Sequence, residues 1–252
     1  SALDPQFDPN NVVQWGLHLA TWWKPLMTVI WSHGGTVFNE DLTEFTIDHP
    51  KSIEAIQRIA ELYARGIMPR DATLERIGMQ PQQMLATGRV AMTIDGSWAL
   101  QDLAVMDFPV GTAVLPTDVE PVTPVQAHMH SIYAGTKHPA EAWELLKFLA
   151  TEEYQRALVS VGLWLPSHVS MLTDEGISEW WNPSVHPPEY RTVGVEYLLK
   201  YGRPVILPPG SVRAFQLLEQ ALDPVWLGRQ SAESAIRGVL PEMNRALAEA
   251  LE

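Results

Sequence analysis

Residues 50–65 carry a single apolar stripe. Ile53, Ile56, Ile59, Leu62 and Tyr63 recur at the spacing that places side chains on one face of a helix. Asp48-His49-Pro50 marks the start, with Pro50 in the first turn, and Gly66 marks the end. A helix with one apolar face must bury it. Further along, Val90-Ala91-Met92-Thr93-Ile94 reads as a strand and runs directly into Asp95-Gly96-Ser97-Trp98, a turn. Strands alternating with helices define an α/β chain.

The remaining punctuation extends that pattern. Leu26–Trp31 is apolar and helical in character, and Gly34-Gly35 breaks it. Thr43–Ile47 is short and β-prone, and Pro81–Thr87 is a second helix stopped by Gly88. Strands are expected over Val110–Leu115 and Ser131–Ala134. Pro139–Ala150 forms a helix with Ala142, Trp143, Leu146 and Leu149 on one face. Thr151 caps a further helix to Val159, with Glu152-Glu153 in its first turn. Residues 173–190 read as irregular, and helices are expected over 192–200, 211–225 and 231–251. There is no internal repeat and no low-complexity linker.

Composition removes several function classes. Of 252 residues, 46% are hydrophobic and 19% charged, so the chain can bury a core. The net charge of −13 and the lack of a Lys/Arg cluster argue against nucleic acid and anionic membrane as partners. Cysteine is absent, which excludes disulfides, thiolate metal sites and cysteine nucleophiles. No run of about 18 apolar residues is present. The opening Ser1-Ala2-Leu3-Asp4-Pro5 lacks a signal-peptide pattern and reads as a cloning or cleavage scar. Ten tryptophans favour a flat apolar ligand with polar edges, or a Trp-rich core.

Three blocks carry a resemblance. The first is Gly34-Gly35-Thr36-Val37-Phe38, the helix with Ala55 and Leu62-Tyr63, then Gly66-Ile67-Met68-Pro69. The second is Met84-Leu85-Ala86-Thr87-Gly88-Arg89 followed by Val90 to Trp98. The third is Lys137-His138-Pro139-Ala140-Glu141-Ala142-Trp143-Glu144 with its helix, then Gly162-Leu163-Trp164-Leu165-Pro166-Ser167. In this order the chain resembles the family 1 extracellular solute-binding proteins of ABC sugar importers, the maltose-binding-protein-like class.

The resemblance implies a type II periplasmic-binding-protein-like α/β fold. Its two lobes close about a hinge, a motion known for periplasmic binding proteins as a class. It also implies that the N-terminal part of lobe one is missing from this chain. Residues 1–118 would be lobe two, 119–172 the segment that normally returns to lobe one, and 173–252 the hinge return and C-terminal helices on lobe two. The function implied is capture of a sugar or oligosaccharide outside the cytoplasm and delivery to importer permease subunits. The protein would sit in the periplasm or be held at the cell surface by a lipid anchor outside this chain. A cleft lacking half its wall would bind weakly or not at all. No cofactor is implied.

Candidate ligand residues follow. A sugar presents apolar C–H faces to aromatic rings and hydroxyls to carboxylates, amides and arginine. Trp98 stands in the family's stacking position, with Asp95 as hydroxyl acceptor and Gly96 and Ser97 allowing close approach. A turn at Asp95 and a core role for Trp98 is the bland alternative. Trp22, Trp23 and Trp31 precede the Gly-Gly turn; Trp23, Met27 and Trp31 share a helical face, which suits a cleft or a core. His128 and His130 lie on one side of a strand, facing ligand or forming half a metal site. Trp164 precedes Pro166-Ser167, where the family approaches ligand, and Arg213 follows Pro208-Pro209-Gly210 as ligand contact or surface ion pair. Trp180-Trp181 cover the hinge or simply pack.

Other classes remain open. A binding protein for glycerol phosphate, a polyamine or a metal such as iron would need clustered cations, acids or ligands. A glycoside hydrolase needs two carboxylates across a cleft, and only Asp95 is placed by a motif. No hydrolase elbow, zinc-protease or phosphate-loop motif occurs, so an enzyme is not expected. A structural or interaction domain is the third rival, disfavoured by the Trp-rich motif.

Overall fold

The structure is a computed structural model that describes Asp8, residues 11–70, Leu74 and residues 78–251. The chain forms two compact units. Unit 1 comprises the described residues of Ser1–Ile94 with Leu115–Pro124 and Tyr201–Glu252; unit 2 comprises Asp95–Val114 and Val125–Lys200.

In unit 1, β1 (His18–Leu19) pairs in parallel with β2 (Thr93–Ile94), and a bridge between Trp15 and Val90 extends the pairing. Parallel neighbours need a long crossover, and here it contains α1 (Trp23–Ser32), α2 (Pro50–Ala64) and α3 (Pro81–Ala86). The expected start of α2 holds: the His49 ring accepts from the Lys51 N–H at 3.3 Å, and Pro50 opens the first turn. Its stripe buries Ala55, Ile56, Ile59 and Tyr63 against α1 and two C-terminal helices, α9 (Ser211–Trp226) and α10 (Ala232–Leu251). Phe215, Leu218 and Leu222 of α9 and Ile236, Met243 and Leu247 of α10 complete the core.

Unit 2 is mostly helical. After a 3₁₀ turn at Ser97–Ala99 comes α4 (Leu100–Leu103). Then come α5 (Pro139–Leu149), α6 (Glu152–Ser160), α7 (Asp174–Trp180) and a π-helical turn, Arg191–Glu196, that runs into α8 (Tyr197–Tyr201). Its core is Val159, Met171, Ile177, Trp180 and Val195. The Trp180 indole N–H donates to the Met171 carbonyl at 2.8 Å, which satisfies the buried polar edge. The second two-stranded sheet, β3 (Thr123–Val125) with β4 (Gly202–Pro204), belongs to unit 1 up to Pro124.

Several expectations are corrected here. Val110–Leu115 and Ser131–Ala134 are not strands. A strand exists only when a neighbouring strand pairs with its N–H and C=O groups, and neither segment pairs with a strand among the described residues. Thr43–Ile47 is reduced to a bridge between Phe38 and Phe45. Residues 173–190 are not wholly irregular: Thr173 Oγ1 accepts from Gly176 N–H at 3.1 Å and caps α7, with Asp174 and Glu175 in its first turn. On the expected face of α5, Ala142, Leu146 and Leu149 are half-buried and Trp143 is 52% exposed. The two units are groupings by contact and do not decide the lobe bounds expected at 118 and 172. Residues 95–114 group with unit 2 because Leu100 packs beside Gly162, and Glu189 accepts the Thr112 N–H at 2.6 Å. Residues 173–200 do so through the Trp180 core. Among the described residues no helix is long and apolar enough to cross a membrane.

His186 ties unit 2 to pH. It is buried, Nε2–H donates to the Val159 carbonyl at 3.0 Å, and Nδ1 accepts from the Asn182 N–H at 3.0 Å. That pattern requires the neutral ring. Burial pushes the imidazole below its ordinary range. The unfolded chain therefore takes up a proton more readily, so stability is present above about pH 6.5 and is lost as pH falls through it. The unfolding midpoint should drop between pH 7 and pH 5.5, and this step should vanish in His186→Gln.

Candidate functional site

Asp95 begins unit 2 immediately after β2. Its carboxylate accepts the Gly96 N–H at 2.7 Å, which makes it a turn residue with its acid group still exposed. Ser97–Ala99 form the 3₁₀ turn, and Trp98 is 41% exposed. The indole folds back over Gly96: a Cβ there would lie 2.3 Å from the Trp98 ring. Only glycine permits that approach. Ser97 is half-buried beside it. The result is an indole set by its own turn and not enclosed by a core.

The unit 1 tryptophans separate. Trp22 precedes α1 and is 39% exposed, meeting Trp23 edge to face at 5.4 Å. Trp23 turns inward, stacked on Phe215 at 5.3 Å, with its backbone N–H donating to the Glu219 carboxylate at 3.0 Å. Trp31 and Met27 are buried in the core, and the Arg203 guanidinium lies 4.4 Å over the Trp31 ring. The shared face of Trp23, Met27 and Trp31 therefore faces the core of unit 1, and Trp22 is the exposed member of the set.

Two cations near these rings carried no sequence signal beyond adjacency. Lys24 Nζ sits 5.0 Å from the Trp22 ring centroid and 5.5 Å from that of Trp23; burial lowers its pKa. Trp22-Trp23-Lys24 is the only hint of this in the chain order. Arg203 could not have been found from sequence, being 172 positions from Trp31.

In unit 2, His128 and His130 are exposed and lie in a loop, not on a strand. His128 stacks on Trp164 with ring centroids 3.7 Å apart. Trp164 is half-buried with a φ of +61°, unusual for a bulky residue. Among the described residues no group of three His, Cys, Asp or Glu is placed to hold a metal. Arg213 is 74% exposed on unit 1, with Glu249 at 4.0 Å, a surface pair. Trp180 is core, and Trp181 is half-buried against His186. A surface hollow of about 460 Å³ lies between α2 and α10, lined by Ile53, Gln57, Arg58, Glu61 and Arg237. It contains none of the expected site residues.

Chemically, the arrangement offers exposed indole faces at Trp98 and Trp22, an imidazole–indole stack at Trp164, and a carboxylate beside Trp98.

The fold matches solved structures. An ABC substrate-binding protein from Listeria monocytogenes in complex with cycloalternan is 20% identical, with a TM-score of 0.79 over 93% of this chain and 59% of that one. The GacH receptor of Streptomyces glaucescens, solved unliganded and with acarbose, is 20% identical, with a TM-score of 0.73 over 93% of this chain and 59% of that one. Maltose-bound MalE3 of T. maritima is 16% identical, with a TM-score of 0.69 over 91% of this chain and 60% of that one. The chain thus spans about three-fifths of the length of these relatives, and the likeness is one of fold. No curated protein matches it. The bacterial extracellular solute-binding protein family matches residues 2–156, more than half of the chain. The chain belongs to the bacterial extracellular solute-binding protein family.

Proposed function

We propose that the chain is the greater part of an extracytoplasmic binding protein that captures a sugar or oligosaccharide and hands it to the permease subunits of an ABC importer. The observation that carries this reading is Trp98, held open on Gly96 beside the Asp95 carboxylate, in a family fold whose solved relatives include complexes with cycloalternan, acarbose and maltose. An indole takes the C–H face of a pyranose, and a carboxylate accepts its hydroxyls. Trp22, His128, His130 and Trp164 are further contacts in this reading. Trp23, Trp31 and Arg213 contribute packing and surface charge. Unit 1 stands for lobe two, and the 125–172 stretch of unit 2 for the segment returning to lobe one. The exposed Trp143, Leu145 and Phe148 of α5 support a longer protein, as does the three-fifths span of the relatives. The whole protein works outside the cytoplasm, with or without a lipid anchor, as a carrier and not a catalyst.

Titration of tryptophan fluorescence with maltose and longer glucans tests the reading. This chain should bind with a Kd of about 1 mM, some −4 kcal/mol, because the site is shared with segments outside it. Trp98→Ala should weaken binding about tenfold, the scale of one stacked aromatic contact. Undiminished binding in Trp98→Ala would remove Trp98 from the site, and micromolar binding by this chain would show that its own residues suffice.

A further inference from the structure

Within unit 2, the loop that bears Trp164 is fixed on both sides of the tryptophan. Gly162 N–H donates to the Val159 carbonyl at 2.9 Å and Leu163 N–H to the Leu158 carbonyl at 3.0 Å, which ties the loop to the end of α6. Ser167 N–H donates to Gln155 Oε1 of the same helix at 2.8 Å. Gly162 is buried with a φ of +83°, and a Cβ there would lie 2.9 Å from the Leu100 Cβ and 3.1 Å from the Gln101 backbone nitrogen. The loop is therefore seated against the start of α4, two residues beyond Trp98. Between these anchors Trp164 adopts a φ of +61°, a left-handed conformation that a bulky side chain rarely takes. Such strain persists only where its surroundings impose it, and it clusters at ligand-binding positions.

The indole so presented is covered. The His128 imidazole lies on it with ring centroids 3.7 Å apart and planes 25° from parallel. Trp164 is half-buried and His128 exposed, so the imidazole lies between the indole and solvent. A pyranose would stack on that same face, and two rings cannot share it at van der Waals distance. His128 belongs to residues 126–130, an exposed stretch without regular secondary structure. Among the described residues its ring makes no hydrogen bond or ion pair, so no polar contact opposes its movement. His186 of the same unit shows what a structural histidine looks like: it is buried, donates to the Val159 carbonyl at 3.0 Å and accepts from the Asn182 N–H at 3.0 Å.

We propose, on the sugar-binding reading above, that His128 is an internal competitor for the Trp164 subsite: its imidazole holds the indole face that a sugar ring must take, and binding there requires residues 126–130 to swing aside. A ligand that needs the uncovered indole is weakened in proportion to the fraction of time for which it is uncovered. An aromatic stack of ordinary strength leaves that fraction between about a third and a tenth. His128 therefore lowers affinity by about three- to tenfold, and it sets which ligands can use Trp164: only those whose contacts there outweigh the stack. Swung aside, the imidazole stays at the rim of the subsite and borders the ligand it has admitted.

Two readouts on the 252-residue chain test this. The first needs no ligand. Acrylamide quenching of the Trp164 emission, taken as the difference from Trp164→Phe, should be greater in His128→Ala than in the unmodified chain. The second is the Kd for maltose and longer glucans. His128→Ala should tighten binding about three- to tenfold. His128→Phe puts a ring back over the indole and should return the Kd to the unmodified value or weaken it. The gain should disappear when Trp164→Ala is added to His128→Ala. Unchanged quenching in His128→Ala overturns the proposal. So does equal or weaker glucan binding in that variant while Trp98→Ala still weakens binding, the result expected if His128 instead props Trp164 in place. Failure of every variant to bind any glucan overturns the sugar reading itself, and the competitor role with it.

Discussion

Phe215→Ala should lower stability by about 3–5 kcal/mol, the range for a large aromatic removed from a packed core. Phe215 is 1% exposed and lies on the stripe of α9 that includes Ala214, Leu218 and Leu222. Its ring stacks on Trp23 at 5.3 Å and meets Phe45 and Phe38 edge to face at 5.4 and 6.0 Å. Those partners come from α1 and from the bridged 38–45 segment, so one side chain holds three parts of unit 1. Helices α1 and α9 are fixed by α2 and α10, so the cavity cannot collapse easily. Thermal unfolding should show a midpoint lower by roughly 10 °C. A midpoint near that of the unmodified chain would mean that α9 does not pack on α1 as described.

Gly210→Ala should cost at least about 3 kcal/mol, through two separable causes. Gly210 precedes α9 with a φ of +84°, where an alanine loses about 1–2 kcal/mol. A Cβ there would also stand 2.4 Å from the Ala246 carbonyl oxygen and 3.1 Å from the Leu247 Cα, both backbone atoms of α10. Backbone cannot swing aside, so α9 and α10 must separate where they pack most tightly. Gly228 is the control. It ends α9 with a φ of +70°, and nothing lies within 4 Å of its Cβ position. Gly228→Ala should therefore cost about 1–2 kcal/mol, from conformation alone. Equal costs at the two positions would contradict the close approach of α10 to Gly210.

Where local chemistry decides, the chain order was enough. Pro50, the Ile53–Tyr63 stripe and Gly66 bound α2 within a residue, and Thr151 with its following acids bounds α6. The cap of α7 was equally local in Thr173-Asp174-Glu175, but the Trp- and Pro-rich stretch after it hid the signal. Strands failed for a different reason. Val110–Leu115 and Ser131–Ala134 have strand-like residues, yet pairing is a property of two segments and not of one. The same limit governs the site. Spacing placed Trp23, Met27 and Trp31 on one face, but only packing could show that Phe215 and the core receive it. Trp98 stays exposed because Gly96 lets its ring lie back, and Asp95-Gly96-Ser97-Trp98 shows that in four letters. The contact between His33 and Asp118 joins residues 85 positions apart and had no local mark.

The most direct test of a sugar-binding role is thermal unfolding of this chain against a panel of neutral sugars, glycerol phosphate, a polyamine and metal ions, read by tryptophan fluorescence. A solute that binds only the folded state must raise the midpoint. For a sugar with a Kd of about 1 mM present at about 50 mM, the stabilisation is roughly 2.3 kcal/mol. One sugar or oligosaccharide should raise the midpoint by several degrees beyond the other sugars at equal concentration, and Trp98→Ala should abolish that difference. If no sugar stands out while a charged solute or a metal raises the midpoint, the family assignment holds and the sugar reading is wrong.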